Sequence, residues 1–252
     1  MKRIYFLMVL MATVLGVKAQ YIQNQEFEQA NFYYNESNYD TALVIYERII
    51  DEGYMSAPLL YNIGNTYFKM KNFPMAILSY EKALKLDPDN EEIKQNLAIA
   101  NALITDKIEP VPVFFMTRWW KSLGNKFTAN GWAVISLVIF GLLMLLLFFY
   151  FTARSRGMKK TTFFISIILL LLLICAVVFA SQRYKYLSSH DEAIIMTSTI
   201  TVKSSPSSSG VDLFVLHEGT KVEILDKADT WDKIRIADGS VGWLPSSASI
   251  KY

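Results

Sequence analysis

The sequence predicts a multidomain membrane protein: all-α helical hairpins at the N-terminus, two transmembrane helices in mid-chain and a small all-β barrel at the C-terminus. Three observations carry this reading. A 34-residue pattern of apolar and small positions recurs before residue 91. Two uncharged runs occupy 132–151 and 161–182. After Asp191 the apolar residues switch to alternation, with turn residues between short runs.

The 252-residue chain is 52% apolar and 14% aromatic, above ordinary soluble usage, and its mean hydropathy is positive. The excess is concentrated in the two runs, 20 and 22 residues long, each enough to cross about 30 Å of hydrocarbon as a helix. Two core helices of a soluble protein are the alternative. Trp119, Trp120 and Trp132 before the first run, and Tyr184 and Tyr186 after the second, match interfacial aromatic belts. Residues 1–19 open with Lys2 and Arg3, stay uncharged over 4–17 and end on Val17-Lys18-Ala19, the layout of a signal peptide cut before Gln20. An uncleaved anchor is the alternative. Either way the following segment is exported, so the first span enters the cytoplasm and the second leaves it. The basic segment 152–160, with Arg154, Arg156, Lys159 and Lys160 and no acid, then faces the cytoplasm, as the positive-inside rule requires. Arg118, Lys121 and Lys126 on the other flank dilute that contrast. Both soluble regions are therefore expected outside, which in a bacterial inner membrane means the periplasm. The net charge of +2 arises largely near the spans, and no nucleic-acid patch stands out.

Residues 57–90 form one 34-residue unit. Counted from Ala57, Leu60, Ile63, Gly64, Tyr67, Ala76, Tyr80, Ala83 and Pro88 stand at positions 4, 7, 8, 11, 20, 24, 27 and 32, the signature of a tetratricopeptide repeat. Gly64 and Ala76 let two antiparallel helices approach, Tyr67 and Tyr80 fill the space between them, and Pro88 stops the second helix. Residues 23–56 repeat the pattern through Ala30, Tyr33, Ala42, Tyr46 and Ile49, with Gly53 ending the helix where the proline is missing. Residues 91–105 read as a capping helix, with Ile93, Leu97, Ala100 and Ile104 at helical spacing. The repeat domain thus spans 20–108. Two repeats and a cap make a short solenoid whose ends need cover from a partner or from the same chain. Asn31, Asn62, Asn65 and Lys69 fall on its concave face, where Asn can hydrogen-bond a peptide backbone from both ends of its amide; the alternative is that these Asn residues only solvate the groove or cap turns. Carboxylate-gripping repeats carry Lys or Arg at position 5 of the first unit, and this chain has Phe27 there, so a clamp of that kind is not expected.

In the linker 109–130, Glu109-Pro110-Val111-Pro112 breaks the helix. Phe115, Trp119, Leu123 and Phe127 then fall four apart, with Arg118, Lys121 and Lys126 on other faces. This suits a helix lying on the outer leaflet, or one packed on the end of the solenoid. The Pro-rich and Ser-rich junctions permit the two exported modules to move independently.

The region 191–252 is expected to form a barrel with a hairpin at Asp238-Gly239 and a core of Val222, Ile224, Trp231, Ile234, Ile236, Val241 and Trp243. Through "VKSSPS", "LHEGTKVEIL" and "DGSVGWLP" it resembles a bacterial SH3-like domain. That resemblance implies peptide or cell-wall binding through exposed aromatics, for which Trp243 and Pro245 are the candidates; a core position for Trp243 is the alternative.

The sequence has no Gly-rich phosphate loop, no His-Glu-x-x-His metal motif and no nucleophile–base pair. His190 and His217 stand apart, and Cys175 is alone inside the second run. No enzyme, cofactor or metal is expected. The order of signal, repeats, paired spans and barrel, with "YNIGNTYFKMKNFPMAILSYEKAL" and "RWWKSL", resembles the BatE family of bacterial aerotolerance proteins. The resemblance implies partnership with von Willebrand factor A-domain membrane proteins and, indirectly, a MoxR-type ATPase. The function read from the chain is a non-enzymatic scaffold. A cell-wall sensor and an accessory subunit of an envelope enzyme are the alternatives.

Overall fold

The computed structural model describes residues 25–112 and 114–252; the stretch 1–19, expected to be a signal peptide, lies outside them. Helices α1 (25–35), α2 (Tyr39–Asp51), α3 (Ala57–Lys69), α4 (Phe73–Leu86), α5 (Glu91–Asn101), α6 (Phe115–Asn125), α7 (Ala129–Thr152) and α8 (Arg156–Ser188) precede seven strands. These are β1 (Glu192–Ile195), β2 (Thr199–Lys203), β3 (Asp212–His217), β4 (Lys221–Ala228), β5 (Trp231–Arg235), β6 (Val241–Pro245) and β7 (Ser249–Lys251). The chain divides into two compact units: 25–84, 90–110 and 191–252 form the first, and 85–89 with 111–190 the second.

Within the first unit, α1/α2 and α3/α4 are the two hairpins and α5 is the cap. Their boundaries repeat as the sequence does. Ser37 and Lys71, 34 residues apart, both take the left-handed conformation that turns the chain between paired helices (φ 62° and 61°). Asn38 and Asn72 follow them, and each side chain accepts from a backbone N–H of the next helix's first turn, Thr41 and Met75. Ser56 and Asn90 cap α3 and α5 in the same way. Ala30, Ala42, Ile45, Tyr46, Ile49, Leu59 and Ile63 form the first core layer. In the second hairpin the Tyr80 ring packs against Gly64, where a Cβ would stand 2.5 Å from it, and Ala76 and Ala83 are fully buried. Tyr67, expected to fill the space between α3 and α4, packs against the first layer, and its hydroxyl donates to Glu47 of α2 at 2.9 Å. The cap is shorter than its apolar spacing suggested: α5 ends at Asn101, and Lys107 folds back to donate to the carbonyls of Asn101, Ala102 and Ile104, a cation on the negative end of the helix.

The strands form one antiparallel sheet ordered β3-β2-β6-β5-β4-β1-β7. Ala193, Val202, Leu216, Val222, Ile234 and Leu244, drawn from six strands, share one core, so the sheet curls around it. The expected β5–β6 hairpin is present, with Gly239 at φ 91°. The expected core is corrected by strand alternation: Asp232 and Ile234 face inward on β5, and Gly242 and Leu244 on β6. Trp231, Val241 and Trp243 therefore lie on the outer face, while Ile224 only flanks the core. Fully buried Asp232 is paired with Lys251 at 2.9 Å.

In the second unit α7 and α8 are both long and apolar enough to cross a membrane, and their side chains are mostly exposed. They pack side by side as a hairpin, with the half-buried Cys175 beside Trp132, Ala176 and Phe179. The basic segment is less of a loop than its sequence suggested. Only 153–155 are non-helical, because Ser155 caps α8 through Met158 N–H at 3.1 Å, which leaves Arg154 in the turn and puts Arg156, Lys159 and Lys160 among the first five residues of α8. Helix α6 lies against α8: Trp120 and Trp132 stack on Phe179, and the Trp132 indole donates to the Gly124 carbonyl at 2.8 Å.

Gly64→Ala should force the Tyr80 ring out of its seat and cost about 1–3 kcal/mol, read as a lower unfolding midpoint by far-UV circular dichroism. Gly53→Ala, where no atom lies within 4 Å of a Cβ but φ is +88°, should act only through backbone strain, by about 1 kcal/mol.

Candidate functional site

Along α1, α3 and α5 the structure builds a ladder with the period of the repeat. Asn31 Oδ1 accepts from the Tyr46 hydroxyl at 2.7 Å and from Asn62 Nδ2 at 2.8 Å. Asn65 Oδ1, 34 residues on, accepts from Tyr80 at 2.7 Å and from Asn96 Nδ2 at 2.9 Å. Asn96 also donates to the Tyr61 hydroxyl at 2.9 Å. Each rung ties the first helix of a hairpin to its second helix and to the helix that follows, α3 in the first rung and the cap α5 in the second. Burial pushes the Tyr46 hydroxyl up to about 12, against the lowering hydrogen bond of Asn62. Tyr80 is raised further, again chiefly by burial. Both phenols therefore stay protonated and remain donors.

The ladder decides what the groove can offer. The carbonyl oxygens of Asn31 and Asn65 each already accept two hydrogen bonds, so these side chains present amide hydrogens rather than acceptors. Asn65 lines a cavity of about 330 Å³ with Tyr34, Tyr61, Phe68, Asn96 and Lys69, the last exposed at its rim. Of the four residues expected on the concave face, Asn65 and Lys69 line this cavity, whereas Asn31 and Asn62 form the neighbouring rung. Asn96 and Tyr61 were missed, although Asn96 is Asn62 displaced by one period and Tyr61 is Phe27 displaced likewise.

On the barrel, a second concavity of about 490 Å³ is lined by Lys227, Asp229, Thr230, Trp231, Pro245 and Ser247. Pro245 belongs to it and Trp243 does not. The cross-strand partner of Pro245 is Trp231, a residue assigned to the core on sequence. Trp243 lies half-buried on the same outer face, with the Lys233 ammonium 5.9 Å from its ring centre.

The barrel and solenoid are joined within the first unit, although the Pro-rich and Ser-rich junctions would have permitted independent motion. The β3–β4 turn enters the end of the solenoid, and Gly219 approaches Ile104 so closely that a Cβ would stand 2.5 Å from it. Asp106 accepts from the His217 backbone N–H, the His217 ring Nδ1 and the Thr220 hydroxyl, each at 2.7 Å. Lys221 bridges Glu81 at 2.8 Å and Glu192 at 3.0 Å. Burial raises the Asp106 carboxyl, but the Thr220 and His217 hydrogen bonds outweigh it and hold its pKa below the usual Asp value. The solenoid end left open on sequence is thus covered by the same chain.

Residues 57–90 match the tetratricopeptide repeat family model and residues 198–250 the bacterial SH3 domain model. No curated protein matches the chain. Both kinds of module mediate protein–protein or peptide interactions, which gives the chain an interaction or adaptor role.

Because the folded Asp106 pKa is depressed, its contribution to docking is fully present above the ordinary Asp range and is lost as pH falls below about 4. Hydrogen exchange at the His217 amide, measured relative to amides inside β5, should rise through that window. Asp106→Ala should raise it at neutral pH by about tenfold or more, as expected for a lost buried acceptor, and should abolish the acid step.

Proposed function

We propose that this chain is a non-enzymatic adaptor of a bacterial inner membrane, which holds a peptide-binding groove and a barrel surface in the periplasm as part of a Bat-type aerotolerance or envelope-stress complex. The carrying observation is the Asn–Tyr ladder. Its Asn31 and Asn65 oxygens are consumed internally, so at these two positions the concave face offers amide hydrogens, beside tyrosine rings and one lysine at the rim. That chemistry suits the carbonyl-rich backbone of an extended peptide, with an acidic side chain near Lys69. The spans supply the tether, and the BatE-like order of modules points to von Willebrand factor A-domain membrane proteins as the peptide's source, with a MoxR-type ATPase acting through them. The junction through Asp106 and Lys221 supports a scaffold rather than two loose modules, because it fixes the groove relative to the barrel's outer face.

The test is purification of the full chain from its own membranes in mild detergent, beside Lys69→Glu and Trp231→Ala variants, with bound proteins and glycans identified by mass spectrometry. Retention of von Willebrand factor A-domain proteins by the parent and Trp231→Ala chains, and a loss of about tenfold in Lys69→Glu from reversing one groove charge, is the expected result. Capture of cell-wall fragments, lost in Trp231→Ala and not in Lys69→Glu, would overturn it in favour of a cell-wall sensor.

A further inference from the structure

Between Glu109 and Asp191 the chain carries nine Arg and Lys residues and no Asp or Glu. Four of the nine, Arg154, Arg156, Lys159 and Lys160, stand at the turn of the α7–α8 hairpin. Arg118, Lys121, Lys126, Arg183 and Lys185 belong to its opposite end, where α6 is fixed.

The attachment of α6 sets its height along the hairpin. Trp120 stacks on Phe179 with ring centres 4.5 Å apart and donates to Gln182 at 3.3 Å. Gly124 is buried against the same Phe179 ring and accepts from Trp132. Trp132 and Gln182 are the end residues of the uncharged runs on that side, and Phe179 stands three residues inside, so α6 lies where the apolar stretch of both long helices ends. At about 100° per residue, Phe115, Trp119, Leu123, Met116, Trp120 and Gly124 follow one another around one half of the helix, and Arg118 and Lys121 occupy the other. The Trp120–Gly124 edge of the apolar half is taken by α8. The rest is bare, with Phe115 68% and Trp119 62% exposed.

We propose that α6 is a membrane-interface helix that inserts Phe115, Trp119 and Leu123 among acyl chains and binds the phosphates of anionic phospholipids through Arg118, Lys121 and Lys126. This rests on the reading that α7 and α8 cross a bilayer. The occupant follows from three features together. The bare apolar half adjoins the lipid-length helices, Arg118 and Lys121 lie opposite it with Lys126 just past the end of the helix, and no acid in the segment between Glu109 and Asp191 competes for them. Tryptophan at that depth places its indole at the boundary it prefers.

The full chain, incorporated into phosphatidylcholine vesicles with and without phosphatidylglycerol, provides the test. Flotation reports whether it enters the bilayer. Emission quenching by acyl-chain-brominated lipid, compared between the parent chain and Trp119→Phe, reports the depth of α6. Native mass spectrometry reports which lipid stays bound. The expected result is flotation, a quenched component that disappears in Trp119→Phe, and preferential retention of phosphatidylglycerol that falls about fivefold in Lys121→Gln and further when Arg118 and Lys126 are also neutralised. Flotation with Trp119 shielded from brominated lipid would overturn the proposal and assign the face to a protein partner. Equal retention of both lipids by parent and charge variants would overturn headgroup binding. Failure to float would remove the bilayer reading itself, and the proposal with it.

Discussion

The solenoid depends on one hydrogen-bonded rung made twice: a buried tyrosine hydroxyl from the second helix of a hairpin donated to an asparagine carbonyl of the first, which also receives an amide from the helix that follows, α3 or the cap α5. Tyr46–Asn31–Asn62 and Tyr80–Asn65–Asn96 are related by the repeat period. A polar group buried without a partner is costly, so sliding one hairpin along the next would strand a phenol and an amide together. The rung therefore sets register where apolar packing alone would tolerate drift. It also sets the chemistry of the concave face, because oxygens spent within the ladder cannot be offered to a ligand.

The junction with the barrel works by the same rule at higher charge. Asp106 and Lys221 are charged groups only partly withdrawn from water, and each meets several partners: three hydrogen bonds to Asp106, two carboxylates around Lys221. Such groups tolerate burial only when their partners are fixed, so the β3–β4 turn is held in one place on the end of the solenoid. Gly219 makes the approach possible. The end that two repeats and one cap leave open is covered without a second protein, and the solenoid and barrel become one compact unit.

The hairpin of long apolar helices follows a different economy. Its side chains are largely exposed, and what organises it is a small aromatic cluster at one end, where Trp120, Trp132 and Phe179 meet around Gly124. Close approach there depends on the absent side chain at Gly124, as the seat of Tyr80 does at Gly64.

Much of this was legible in the sequence, because helical hairpins, apolar runs and alternating strands each impose a period on the chain. The 34-residue spacing located the repeats, Gly53 and Pro88 marked the ends of their second helices, and Asp238-Gly239 marked its hairpin. The sequence also placed Asn31, Asn62, Asn65 and Lys69 on one face, since that is a matter of helical phase. It could not say that two Asn oxygens were already occupied, that Tyr67 reaches back to Glu47, or that Trp231 and Trp243 lie on the outer face while Asp232 lies within. Hydropathy ranks Trp above Asp for burial, and only pairing with Lys251 reverses that order. Nor could it join Asp106 to His217, which are 111 residues apart. Periodicity is a local property that the sequence carries by itself; which polar atoms satisfy one another is decided only when distant segments meet.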